Sequence, residues 1–146
     1  MRTLFIIPLV LMSLVSFPSW GLTMDDLVIR EGSYYKKFTD VPFTGKIEGV
    51  TKGSFKTGKR NGQWVGYDQT GQLSFKGYYE DGQLEGEFAR YHLNGQLWYQ
   101  GKYSNDVHHG YWEHFFDNAQ LESKGTYQNG TKEGPWEYYH PNGQLM

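Results

Sequence analysis

The sequence predicts an all-β fold of tandem β-hairpin repeats, stacked at a 24-residue period into an elongated, twisted antiparallel sheet or solenoid. Three observations lead there. Glycines stand in register at Gly62, Gly86, Gly110 and Gly134. Two residues after each comes a large aromatic, Trp64, Phe88, Trp112 or Trp136, and three further on another, Tyr67, Tyr91, Phe115 or Tyr139. From residue 53 onward Leu, Ile and Val number only eight against nineteen Phe, Tyr and Trp, so no ordinary α/β core is available. A fixed period of this length marks a repeat architecture.

The rest of the unit follows in the same register. Gly71, Gly95, Ala119 and Gly143 each precede a Gln-Leu pair whose leucines are Leu73, Leu97, Leu121 and Leu145. Then come Gly77 with Tyr79, Gly101 with Tyr103, and Gly125 with Tyr127, preceded by a degenerate copy at Gly53 to Gly58. Leu73, Phe75, Gly77 and Tyr79 alternate with polar neighbours, the period of a strand with one buried face. The segment from Gln63 to Tyr67 is strand-like too. Asn94-Gly95 and Asn142-Gly143 supply the positive φ of a tight hairpin turn, and Asp81-Gly82, Asn105-Asp106 and Asn129-Gly130 join one hairpin to the next. Trp64 and Tyr67 are three apart, so either a bulge intervenes or both faces carry aromatics.

Before the array, residues 1–21 combine a positive start, an apolar run from Leu4 to Val15 and small residues ahead of a cut after Gly21, the three parts of a secretory signal peptide. The run is shorter than the ~20 residues a spanning helix needs, and no second apolar stretch follows. The expectation is a periplasmic or secreted protein with no transmembrane segment after cleavage. Residues 22–52 read as an N-terminal capping segment, with Leu27 to Ile29 and Tyr34 to Lys36 flanking a turn and Phe43 to Val50 offering a further strand. Residues 53–146 read as the array. Met146 falls where the second strand of the last unit is expected to begin, which leaves an unpaired edge.

Composition narrows the function. The chain has 146 residues and no cysteine, which excludes disulfides, thiolate nucleophiles and Cys-type metal sites. Losing Arg2 with the signal leaves 13 basic against 16 acidic residues, a net charge of −3 that disfavours nucleic acid. The glycines form neither GxGxxG nor GxxxxGK[ST], so they read as turn and packing glycines, with no cofactor implied. His108, His109 and His114, with Asp106, Glu113 and Asp117, are the densest group of candidate ligands or bases. They lack HExxH spacing, and His108 and His109 read as solvated turn residues pointing apart, while His114 shares a face with Trp112. The reading is therefore non-enzymatic, with no metal site. Lys59-Arg60 reads as a solvated turn, and the sequon Asn129-Gly130-Thr131 as a turn.

The pattern G-x-W-x-x-Y-x-x-x-G-Q-L-x-x-x-G-x-Y-x-x-G from Gly62 to Gly82 resembles the bacterial MORN-repeat-variant family, and Tyr34-Tyr35-Lys36 with Pro42 to Lys46 is similar to its lead-in. The resemblance covers roughly residues 30–146. Bacterial members are labelled YwqK-type antitoxins, which implies a protein that neutralises a toxin. Related eukaryotic repeats resemble scaffolds, with lipid binding among their suggested properties. Phe88 for Trp, Ala119 for Gly and Asp106 for Gly depart from the pattern.

Aromatics that recur in every unit serve what every unit needs, namely packing. Their rival use is an exposed ladder stepping ~10 Å, suited to a glycan strand. Aromatics that break the repeat are the candidate partner-binding residues: Trp98 where other units have Ser74 and Glu122, Tyr78 where they have Lys102 and Thr126, Tyr111 and Phe116. Trp98 and Tyr78 are expected on the polar face of their strands. The expected function is a protein–protein interaction or scaffold module with an unidentified protein partner. Cell-wall or polysaccharide binding, or toxin neutralisation in the envelope, are the alternatives.

Overall fold

The computed structural model describes residues 21–146; the expected signal peptide, Gly21 apart, lies outside them. A single 3-10 turn, Met24–Asp26, leads into eleven strands. β1 (Leu27–Arg30) and β2 (Ser33–Lys36) form a separate hairpin. The rest make one open antiparallel sheet in sequence order: β3 (Gly45–Ile47), β4 (Thr51–Lys56), β5 (Lys59–Tyr67), β6 (Leu73–Glu80), β7 (Gln83–Tyr91), β8 (Leu97–Ser104), β9 (Val107–Phe115), β10 (Leu121–Gln128) and β11 (Thr131–Tyr138). Every neighbour in the chain is a neighbour in space, as a meander of hairpins requires.

Two kinds of turn alternate. Glu31-Gly32, Thr57-Gly58, Asp81-Gly82, Asn105-Asp106 and Asn129-Gly130 hold both residues at positive φ, between 47° and 91°. These are the two-residue turns whose twist matches that of the strands. Asp106 takes the place of glycine because its carboxylate accepts the Leu84 N–H at 2.7 Å. The loops at Asn94-Gly95 and Asn142-Gly143 are not two-residue turns. His92 N–H donates to Gln96 O at 2.8 Å and Gly95 N–H to His92 O at 2.9 Å, with only the glycine at positive φ; His140 to Gln144 repeats this.

The register settles the Trp64–Tyr67 spacing. β5 alternates normally there, so Trp64 and Tyr67 lie on opposite faces, and the shift falls across from Tyr67 in β6, where Ser74 is the extra residue. The same shift recurs between β7 and β8 and between β9 and β10. Both faces therefore carry aromatics. We call them the indole face, which holds Trp64, Phe88, Trp112 and Trp136, and the outer face.

The strand pairing explains the repeated glycines. Gly77 stands opposite Trp64 on β5 and Phe88 on β7, and Gly101 and Gly125 stand beside Trp112 and Trp136 in the same way. A Cβ at Gly53, Gly101 or Gly125 would fall inside the indole of Trp64, Trp112 or Trp136, and one at Gly77 would lie 2.7 Å from Phe88. Each ring thus lies flat over a neighbouring backbone. Each indole N–H also donates to the carbonyl one residue past its glycine: Trp64 to Ser54 at 3.2 Å, Trp112 to Lys102 at 3.1 Å and Trp136 to Thr126 at 3.2 Å. Phe88 has no such donor.

At β3 to β5 the β1–β2 hairpin forms a second layer on the indole face. Leu27, Ile47, Phe55 and Trp64 are buried together, with Leu22, Met24, Tyr34 and Phe43 packed against them. From β6 onward no second layer covers that face among the described residues. Trp112 is nevertheless 0% exposed, closed in by Tyr99, Tyr103, His108 and Tyr127. β11 ends the sheet. Beyond it the chain turns back through the His140–Gln144 loop to the Tyr139–Leu145 bridge and the hydrogen bond from Met146 N–H to Tyr138 O.

Candidate interaction surface

The four repeat-breaking aromatics do not come together. Tyr78 (43% exposed) and Tyr111 (53% exposed) both stand on the outer face, on β6 and β9, three strand spacings or ~14 Å apart. Each borders a shallow depression. One, of about 560 Å³, has Val65 and Ala89 as its floor and Lys76, Glu85 and Glu87 around it; the other, of about 570 Å³, is ringed by Gln100, Lys102, His109 and Glu113. They meet at Glu87, which pairs with Lys102 at 3.2 Å.

Trp98 is not on that face in the manner expected. It is the extra residue of the β7–β8 register shift, and its ring stacks on His92 at 5.5 Å, meets Tyr99 edge-on at 5.2 Å and lies 5.7 Å from the Arg90 guanidinium. Arg90 pairs with Tyr99 and Phe75 on the indole face, so Trp98 leans onto the rim of that face. Phe116 is half-buried in a loop, its N–H bonded to Gln120 O at 2.9 Å.

His108 also departs from expectation. Because the Asn105-Asp106 turn takes only two residues, β9 begins at Val107, and His108 points into the indole face. Its ring sits 4.3 Å from Trp112, 4.8 Å from Tyr103 and 4.9 Å from Tyr127. Burial holds its pKa below the ordinary histidine value. The same burial lowers His114, whose Nδ1 is enclosed without a hydrogen-bond partner between Tyr99, Trp112 and Trp136. Both rings are therefore neutral at pH 7. His109 lies on the outer face. Among the described residues no three His, Asp or Glu side chains converge as metal ligands.

The position occupied by His108 is itself periodic: Arg60, Leu84, His108 and Lys132. Arg60 lies 4.6 Å over Trp64 and 5.3 Å over Tyr79, and Lys132 lies 4.1 Å over Trp136 and donates to the Tyr138 hydroxyl at 2.8 Å. Burial, with Tyr99 and Tyr79 adding to it, pushes the Tyr103 hydroxyl pKa up to about 12.

Strand hairpins repeated at one period, with packing shared between neighbours, define a β-repeat module. The family of that module is also fixed. The MORN repeat variant model matches residues 60–81, 74–88, 84–105, 109–129 and 132–146, more than half of the chain, which therefore belongs to that family, one of binding repeats. No curated protein matches the chain. Trp64 and Trp112, fully enclosed, have no face to offer a stacked ligand.

Proposed function

We infer that this protein is a non-enzymatic, exported protein-interaction module. The observation that carries this reading is the single-layer sheet from β6 to β11. Its packing is completed within the layer, so both faces stay available, and the repeat-breaking aromatics Tyr78, Tyr111 and Trp98 are, with Tyr138, left at the surface. Conformationally restricted aromatics at a surface provide large contact area at low entropic cost, which is why they dominate interface hot spots. Export rests on the signal-like order of charge, apolar run and small residues in residues 1–21.

The test is capture from a native envelope extract on the immobilised protein, beside a Tyr78→Ala/Tyr111→Ala variant and a Trp98→Ala variant. A protein retained by the wild type and lost on either variant is the expected result. Equal recovery on all three, or retention of sugar alone, would overturn the reading.

A further inference from the structure

We propose that the uncovered part of the indole face, from β7 to β11, is the docking surface for an acidic, aromatic-containing segment of the partner protein. This rests on the interaction reading above and adds the face and the chemistry.

The carrying observation is a separation of charge between the two faces. Seven glutamates lie within β6 to β11. By register Glu80, Glu113, Glu133 and Glu137 fall on the outer face, and Glu85 and Glu87 line its depression. Glu122 is the extra residue of a register shift, at the rim. The indole face carries no other strand carboxylate among the described residues. It carries Arg60 opposite Phe55, Arg90 opposite Tyr99 and Lys132 opposite Tyr127. The Tyr34 ring of the cap lies 5.9 Å from Arg60. Arg90 and Lys132 stand beyond the cap, exposed, and neither makes an ion pair with a described residue. Each lies against aromatic rings, Arg90 at Trp98 and Lys132 at Trp136, which leaves its donors short of a counter-charge. The outer face sets its six glutamates against Lys76, Lys102 and Lys124, so within a protein of net charge −2 it is acidic on balance, beside a cationic aromatic face.

The shape selects among anions. A bilayer would need a cluster of exposed apolar side chains to insert, yet the indoles of Trp64 and Trp112 are fully enclosed, Phe88 is buried, and Trp98 stands at the rim among tyrosines, histidines and cations. A nucleic acid would need a row of phosphate contacts, and two uncovered cations are too few. An extended polypeptide fits. Arg90 on β7 and Lys132 on β11 are four strand spacings apart, ~19 Å laterally, so a segment bridging both is extended over at least ~6 residues. Its carboxylates would meet the two cations. Its aromatic side chains would lie over the half-buried Tyr99, Tyr103 and Tyr127 between them.

The experiment uses the full chain and a random copolymer of glutamate and tyrosine as probe, with a lysine–tyrosine copolymer, phosphatidylglycerol vesicles and oligo-dT beside it. Binding is read by fluorescence anisotropy at low salt, and folding by thermal melts. The expected result is binding to the glutamate–tyrosine copolymer, weakened about fivefold or more by Arg90→Gln/Lys132→Gln, the scale of two exposed ion pairs. The outer-face variant Lys76→Gln/Lys102→Gln should change it less than about twofold. All are surface changes and should leave the melt in place. Preference for the lysine copolymer, for vesicles or for oligo-dT, or loss of binding in the outer-face variant alone, would overturn the proposal. If the copolymer fails to bind while envelope capture still returns a protein lost on Tyr78→Ala/Tyr111→Ala, the interaction reading stands and this assignment of face falls. If capture also returns nothing, both fall.

Discussion

The two ends of the sheet bury the same residue by different means. At β3 to β5, Trp64 is enclosed between two layers, with Leu27, Ile47 and Phe55 around it and the β1–β2 hairpin above. At β8 to β10, Trp112 is equally enclosed with no layer above it among the described residues, by a glycine beneath its ring and by Tyr103, His108 and Tyr127 at its edges. The first is the usual way to form a core, by packing one sheet on another element. The second makes a core inside one layer, and it works only because the ring can lie on bare backbone. The β1–β2 hairpin supplies at β3 to β5 the cover that neighbouring aromatics supply at β8 to β10.

That contrast breaks most sharply at the glycine. Gly101→Ala places a methyl group where the Trp112 ring now lies, and the neighbour that must yield is a rigid indole held by a hydrogen bond to the Lys102 carbonyl. The expected cost is about 3 kcal/mol or more, combining overpacking with loss of the displaced ring's burial. Denaturant melts of the full chain would measure it, and a loss below ~1 kcal/mol would show that the ring's seat on glycine is not what encloses it. At Gly62 an added Cβ meets nothing within 4 Å, so Gly62→Ala reports the strain of φ 85° alone.

A second difference between the ends is titratable. Arg60 holds its position over Trp64 with a permanent charge, whereas His108 holds the equivalent place beside Trp112 as a neutral ring, with His114 on its other side. Both histidines have folded pKa values depressed by burial, His114 also feeling Glu122 upward and Lys132 and His108 downward. The unfolded chain therefore binds protons first. The stability they contribute is present above pH ~6.5 and is lost as the pH falls through their lowered folded values. Hydrogen-exchange protection in β8 to β10, corrected for the intrinsic base-catalysed rate at each pH, should fall as the solution is acidified from pH 7, while protection in β3 to β5 changes less. A His108→Phe/His114→Phe variant should remove that difference; if the two regions respond alike in the wild type, the assignment fails.

How much of this was legible in the sequence depends on whether a feature repeats. The period, the strands and the two-residue turns at Asp81-Gly82 and Asn129-Gly130 were legible because each recurs or carries turn chemistry of its own. The bulges were not, because the extra residue is Ser74 in one unit, Trp98 in the next and Glu122 in the third, with nothing common among them. Missing them placed Trp98 on the wrong side. His108 reads as a solvated turn residue because it is polar and stands just past the Asn105-Asp106 turn, although its place in the period is that of Leu84, which lies on the indole face of its strand. The segregation of glutamates to one face was in principle readable, but only with the register in hand, since each bulge resets the alternation.

The smallest effect tests whether the remaining departures from the repeat are tuned or merely tolerated. Ala119 stands where the other units have Gly71, Gly95 and Gly143, and it adopts φ 64°, a left-handed conformation that a Cβ disfavours by roughly 1–2 kcal/mol. Its N–H bonds Phe116 O at 3.0 Å, so the loop keeps the geometry of its neighbours despite the strain. Unlike Asp106, alanine has no side-chain acceptor to offset that strain. Ala119→Gly should therefore stabilise the chain, by less than the strain itself because glycine also gains freedom in the unfolded state; a gain of about 0.5–1 kcal/mol in denaturant melts is expected. A loss of stability would mean that the alanine methyl makes a contact worth more than the strain, and that this loop, alone among the four, is held by its side chain.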